Sequence, residues 1–284
     1  MINKKENTDY KKVEYKLPKD TRLYLPERNE IDNYYLLFHK FPPFNQKDNK
    51  FSIKGFDSKE YATKLNSIIS KELNPRRLQL LKELQQSGYT VASRKLEIDG
   101  KLSIGLGQPS VYEVSLNLDF IYGIPYIPAS SIKGLLLDYY KNELNDNDNT
   151  NTLFGSEAYR GKLIFLDAYP INDIKIDLDI MNPHYGDYYT SKGRTEPNDF
   201  LKPIPVIFPV VTKAVFEFTV IVKDDNNINL EDVLDNLTNA LKLYGIGAKT
   251  ALGYGMFKSS KYSIDNLIRK FNRWYWYRIY LLYF

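Results

Sequence analysis

The sequence predicts an α+β fold whose core elements run in the order βαββαβ, and three observations predict it. Strand-like alternation occupies residues 89–104, 162–168, 213–222 and 254–262. Two amphipathic helices, residues 130–144 and 230–244, follow the first and third of these strands. Polar and Pro-rich insertions separate the elements without disturbing an order that is the split βαβ pattern.

The bulk properties exclude several function classes. With 284 residues the chain is long enough for one large domain or two small ones. It has no Cys, which removes disulfides, zinc ribbons and thiol catalysis, and only His39 and His184 offer imidazoles, so no multi-histidine metal site is expected. Lys and Arg exceed Asp and Glu by 39 to 35, a formal +4, so contact with a polyanion has to come from local clustering. The start, with Lys4, Lys5, Lys11 and Lys12 among polar residues, has no secretory apolar run, and the apolar end from Trp274 to Phe284 is too short to span a bilayer and contains Arg278. The expectation is a soluble cytoplasmic protein with no membrane contact.

Residues 1–56 are polar and broken by Pro18, Pro26, Pro42 and Pro43, and read as an extension lying over another part of the fold; His39, in its one apolar run, reads as packed rather than as a ligand. From 57 to 88 two short helices are expected, with Ser58 as a cap, Tyr61, Leu65, Ile68 and Ile69 as one stripe, a break at Asn74-Pro75, and Leu78, Leu81 and Leu84 as the second stripe. Arg76 and Arg77 sit at the end of the second helix where the dipole disfavours cations, which fits either a partner or a solvated face. Asp99-Gly100 reads as a hairpin turn between 96–98 and 102–104, and 111–120 as half-buried sheet.

Two turns carry the functional reading. The first is the approach to the helix at 130–144, where Pro125 and Pro128 force an extended chain and Ser130 or Ser131 can cap. Its buried stripe is Ile132, Leu135, Leu136, Tyr139 and Tyr140, which leaves Lys133 off the stripe in the first turn. Free amides, two hydroxyls and a Lys at a helix N-terminus suit a phosphate; the alternative is an ordinary capped helix with a solvated Lys. The second turn is 245–255, with Gly245, Gly247, Gly253 and Gly255 in eleven residues around Lys249 and Thr250. It is no Walker A loop, since Ala248 precedes Lys249 and a strand follows, and no dinucleotide fingerprint, since Thr250 stands at the third glycine position. A glycine loop between helix and strand with one cation and one hydroxyl suits a nucleic-acid backbone, the alternative being a helix C-cap and plain connector.

The rest is sorted similarly. Asp167 ends the strand at 162–168 and either ligates a cation or satisfies turn amides. Residues 169–212 read as an insertion away from the core, in which His184 and Arg194, with Tyr185, Asp187, Tyr188 and Lys192, either stack on bases and hold phosphates or form a self-bonded loop. Asn229 is a cap for the helix at 230–244, with Leu230, Val233, Leu234, Leu237 and Leu241 buried. The tail 263–284 interleaves Arg269, Lys270, Arg273 and Arg278 with aromatics, which fits single-stranded RNA or docking onto protein.

In chain order, the glycine break at 105–107, Ile127-Pro128-Ala129-Ser130-Ser131-Ile132-Lys133-Gly134, Leu153-Phe154-Gly155, 161–168 and the glycine loop resemble the RAMP superfamily of CRISPR-associated proteins. Asn182-Pro183-His184-Tyr185-Gly186-Asp187-Tyr188-Tyr189 and 203–208 narrow the resemblance to the family of the sixth, single-copy subunit of the type III-B Cmr effector complex; Ala129 departs from the family's usual Gly. The resemblance implies a ferredoxin-like, RNA-recognition-type core over 89–262, with 1–88 as an N-terminal extension carrying the helical pair. It implies an RNA-binding structural subunit near the 3′ end of the CRISPR guide RNA, with target RNA and other RAMP subunits as partners, no DNA contact, no cofactor, no metal and no nuclease activity. The RNA contacts expected are Ser130, Ser131, Lys133, Gly134, His184, Arg194, Gly245, Gly247, Lys249, Thr250 and Gly253, with the serine-lysine and glycine-lysine turns meeting on one surface. The rivals are a metal-independent guide-processing endoribonuclease using His184, metal-dependent cleavage at Asp167 or Asp187, and a protein adaptor held by the tail.

Overall fold

The computed structural model describes residues 16–22, 30–45, 50, 51, 53, 58–182, 188, 190, 191, 194, 196, 205–223 and 227–260. Its centre is a five-stranded antiparallel sheet. The strands are β1 (Tyr89–Asp99), β2 (Leu163–Phe165), β3 (Tyr169–Met181), β4 (Val206–Lys223) and β5 (Met256–Ser259). β4 pairs β1 along one edge and β2 and then β3 along the other, while β5 closes onto the far edge of β1. The helices α1 (Ser58–Ile68) and α2 (Asn74–Gln86) precede the sheet, α3 (Ala129–Tyr139) and α4 (Asn147–Phe154) lie between β1 and β2, and α5 (Leu230–Leu243) lies between β4 and β5. The α+β class is borne out as mixed helix and antiparallel sheet.

Alternation along each strand sends successive side chains to opposite faces, so the sheet is covered twice. On one face Leu96, Phe216, Phe218 and Phe257 meet α5, whose Val233, Leu234, Leu237 and Leu241 are buried. The ring of Phe257 stands edge-on to those of Phe216 and Phe218, at 5.9 and 5.3 Å between centroids. Asn229 caps α5 as expected, its Oδ1 accepting from the Glu231 amide at 3.1 Å. On the other face α1, with Leu65 buried, and the turn after it, with Ile69 buried, pack on β3, whose Ile174 and Ile176 are buried.

That second face explains why Asn74-Pro75 does not end a helix. α1 continues through a π-helical turn, Ile69–Leu73, straight into α2, and Leu73 and Asn74 keep right-handed helical dihedrals. Pro75 lies just after that turn, in the first turn of α2, and the helix passes it without a break. Two asparagines on this rod then repair a bulged strand. β3 shifts register between Pro170 and Ile176, with Asp173 at φ 53°, and Asn66 supplies the lost ladder partners by accepting from the Ile174 amide and donating to its carbonyl. Asn74 donates to the Ile171 carbonyl. Arg77 is neither free nor partner-facing: it pairs with Glu217 at 3.0 Å, lies over the Tyr169 ring, and is mostly buried. Arg76 donates to the Tyr122 hydroxyl at 3.1 Å. Leu78, expected on the buried stripe, is exposed.

Three further expectations are corrected. Asp99-Gly100 makes no hairpin: β1 is one strand of eleven residues, Gly100 bends at φ 94°, and the chain runs on so that Leu102 bridges Val211 of β4. The far edge of β1 is already taken by β5, with Asp99 opposite Met256, so no second strand can fold back there. Residues 114–118 are buried but form no ladder; the Ser115 and Asn117 amides instead donate to the Leu106 and Ile104 carbonyls. The stretch 169–212 opens and closes as sheet, because β3 reaches Met181 and β4 begins at Val206, and Phe208, Val210 and Val211 are core. His39 is packed as expected, between the rings of Tyr35 and Phe38, with its pKa lowered by burial.

Candidate nucleic-acid interface

The glycine loop leaves α5 at Tyr244 and returns as β5, and its glycines are set by its own backbone. Gly245, Gly247, Gly253 and Gly255 all take positive φ. A Cβ on Gly247 would collide with the Ser103 carbonyl, and one on Gly245 would stand 2.8 Å from that of Tyr254. The Ala248 and Gly255 amides donate to the Ser103 and Lys101 carbonyls, and Ile246 donates to Gly255, so the loop is stitched to the chain just past β1. Gly253 is different: it is exposed, and a Cβ there meets nothing within 4 Å.

At the loop's crest Lys249 takes the left-handed conformation, φ 63° and ψ 29°, and starts a single 3-10 turn, Thr250–Leu252. Among the described residues the amides of Gly247, Thr250 and Ala251 make no hydrogen bond. The Lys249 ammonium lies over the Phe208 ring, 5.1 Å from its centroid, and among the described residues meets no carboxylate. Phe208 is opposite Asp179 in the β3–β4 ladder, and Asp179 accepts from Lys101 Nζ at 2.7 Å and from Tyr254 Oη at 2.5 Å. Burial pulls the Asp179 carboxyl upward, but the Lys101 and Tyr254 donors hold it below the usual carboxylate range, and the same bond pushes the Tyr254 phenol up to about 12.

The serine-lysine turn is built differently from expectation. α3 begins at Ala129, one residue before Ser130, with Pro128 as the extended N-cap residue and no side-chain cap of its own. The cap comes from across the fold: Asp167 Oδ1 accepts from the Ala129 amide at 2.7 Å. Asp167 therefore satisfies a turn amide. Its negative charge occupies the helix terminus that a phosphate was expected to use, leaving the Ser130 amide as an open donor among the described residues. Ser130, Ser131 and Gly134 are exposed and Lys133 half-buried, and among the described residues Lys133 has no carboxylate partner. Gly134 is a helical residue where a Cβ would touch nothing within 4 Å.

The two turns lie at different levels of the sheet. The glycine loop adjoins Asp99, where β1 finishes, while the start of α3 is tied to the β2–β3 junction through the Ile127–Ala168 bridge. They also sit on opposite flanks: three strand spacings, on the order of 14 Å, separate β3 from β5 sideways, and the Ala168 bridge is level with Arg94 in the middle of β1 rather than with its end, about 16 Å further along. Among the described residues no hydrogen bond, ion pair or ring contact joins them. The segment between carries the bridging bonds, with Asn117 donating its side-chain amide to the Tyr126 carbonyl and its backbone amide to Ile104. Arg194 is exposed, its amide donating to the Ser191 carbonyl at 3.3 Å, and His184 and Asp187 lie outside the described residues, as does the tail.

Sequence reasoning missed Asp179, Phe208, Lys101 and Tyr254. A signal was present, because Ile174, Ile176, Leu178 and Ile180 alternate with Lys175, Asp177 and Asp179 as a half-buried strand does. Among the described residues no cluster of acids and histidines could hold a metal, and no helix is long and apolar enough to cross a membrane.

The chain is 34% identical to the CRISPR system Cmr subunit Cmr6 of Pyrococcus furiosus, over 57% of this chain and 66% of that protein. It is 28% identical to the subunit of the same name from Saccharolobus solfataricus, over 65% of this chain and 63% of that one. It thus spans just under two thirds of the length of these relatives. Its fold is similar, with a TM-score of 0.55 at 24% identity, to a chain in the cryo-EM structure of the type III-B Cmr-beta bound to cognate target RNA, covering 84% of this chain and 83% of that one. The family model of the RAMP superfamily matches residues 95–258, more than half of the sequence and a span holding most of the sheet, α3, α5 and both turns. The chain belongs to the RAMP superfamily.

Proposed function

We propose that this chain is a non-catalytic RNA-binding subunit of a type III-B CRISPR ribonucleoprotein, holding guide RNA near its 3′ end beside other RAMP subunits, with target RNA as a further partner. The similarity to two Cmr6 proteins supports membership of such an assembly. The core is ferredoxin-like in this reading, supported by a sheet in which the last strand, β5, neighbours the first, β1, and β4 separates β1 from β2 and β3.

One observation carries the RNA reading. Lys249 is held in a left-handed crest above a row of open amides and among the described residues meets no carboxylate, whereas Lys64, Lys101, Lys175 and Lys258 all pair with one. An ammonium and peptide N–H groups left unneutralised at one exposed crest are what a phosphate oxygen needs. Lys133, with Ser130, Ser131 and Gly134, offers a second point on the other flank, and a strand of RNA running obliquely across the sheet joins the two. Contacts of this kind position the backbone and are independent of base sequence.

The test is salt dependence. Removing one cation from the phosphates of a single strand reduces the slope of log affinity against log salt by roughly 0.7. Lys133→Ala and Lys249→Ala should each lower the slope by about that amount in a filter or fluorescence titration with repeat-derived RNA. Slopes equal to that of the unaltered protein in both variants would refute the contacts.

A further inference from the structure

We infer that the cross-strand pair Asp179–Phe208, on the hairpin formed by β3 and β4, is the positioning device that presents Lys249 and the glycine loop to RNA, an inference that rests on the RNA reading above. The two members act on the same lysine from two sides. Phe208, wholly buried, puts its ring beneath the ammonium at 5.1 Å, fixing where the positive charge sits without neutralising it. Asp179 holds Tyr254 by its hydroxyl, and the Tyr254 amide donates to the Lys249 carbonyl at 3.4 Å, bracing the backbone of a residue in a conformation that non-glycine residues seldom take. Asp179 also binds Lys101, whose carbonyl accepts from the Gly255 amide at 2.7 Å. The hairpin, the bend after β1 and the returning end of the loop therefore converge on one carboxylate.

A carboxylate only a residue pair away from an RNA-binding lysine would be counterproductive if it faced the ligand. Here it does not: Asp179 is satisfied by Lys101 and Tyr254 and is largely covered, so its charge is directed at protein donors while Lys249 remains available. Asp179 is a positioning residue, not an RNA contact, and the distinction is measurable.

The variants are Tyr254→Phe, which removes one hydroxyl with almost no change of volume, and Asp179→Ala, with Asp179→Glu as the conservative control. In the salt titration, Tyr254→Phe and Asp179→Ala should weaken RNA binding about fivefold, the value of one hydrogen bond, with the slope unchanged because no cation is taken from the phosphates. Asp179→Glu should restore most of the affinity. In the free protein, hydrogen exchange at the Ile246, Ala248 and Gly255 amides should accelerate in Tyr254→Phe and Asp179→Ala and return toward normal in Asp179→Glu. Unchanged loop exchange and unchanged affinity in Tyr254→Phe and Asp179→Ala, alongside a lowered slope in Lys249→Ala, would overturn the inference and leave the RNA reading standing. If Lys133→Ala and Lys249→Ala leave the slope unaltered, the RNA reading fails; loop exchange in the RNA-free protein then still decides whether Asp179 holds the loop.

Discussion

Gly134 separates stability from binding. It sits in the body of α3, exposed, with a right-handed helical backbone, and a Cβ added to it meets no atom within 4 Å. Glycine in a helix interior costs roughly 0.5–1 kcal/mol relative to alanine through its greater freedom in the unfolded chain. Nothing in the protein's own packing requires glycine there, so Gly134→Ala should stabilise by about that amount, a rise in Tm of about 1–2 °C for a chain of this size. If the absent side chain leaves room for a ribose-phosphate backbone beside Lys133, a longer side chain does the opposite to binding. Gly134→Leu should be as stable as Gly134→Ala within about 0.5 kcal/mol, since leucine is nearly as good a helix former, yet bind RNA at least tenfold more weakly. Thermal unfolding by circular dichroism gives the first quantity and an RNA titration the second. A destabilised Gly134→Ala would show that the backbone at this position is not an open helical one. Undiminished RNA binding by a stable Gly134→Leu would remove this face of α3 from the interface.

Other outcomes follow from the same structure. Arg77→Met should cost about 3–5 kcal/mol in urea unfolding, because Glu217, with only 14% of its side chain exposed, is left charged and unpaired, and adding Glu217→Gln should recover most of the loss. The stabilising contribution of Asp179, whose pKa is lowered, is complete above its usual value near 3.8 and should be lost as pH falls below it; loop amide exchange measured across that window reads this directly. Tyr254 has the reverse sign: its pKa is raised, so its bond contributes fully below about pH 10 and should be lost as pH rises toward about 12, followed by tyrosinate absorbance. Incubation of the purified protein with repeat RNA in EDTA should leave the RNA intact, and sharp cleavage abolished by His184→Ala would instead establish the endoribonuclease reading.

How much is legible in the sequence depends on the range of the interaction. The helix at 230–244, its Asn229 cap and its buried stripe are readable because cap, dipole and 3.6-residue periodicity all act within a few residues. The continuous rod past Asn74-Pro75 is not, because a proline that breaks an isolated helix is tolerated when the rod is pinned to a sheet by Leu65, Ile69, Asn66 and Asn74. Asp99-Gly100 carries the local signature of a hairpin, yet β5, more than 150 residues later in sequence, claims the edge that the hairpin would need.

The sequence by itself determined the order of elements, the glycine loop between α5 and β5 and the lysines at both turns, since these are matters of residue type and local spacing. Only the tertiary structure decided that the loop's glycines answer to the protein's own carbonyls, that Asp167 caps the helix in place of Ser130 or Ser131, and that the two turns lie on opposite flanks of the sheet without touching. The physical reason is that hydrogen bonds between distant segments leave no periodic trace in the chain: Asp167 and Ala129, or Asp179 and Tyr254, become partners only once strand pairing has fixed where each backbone lies.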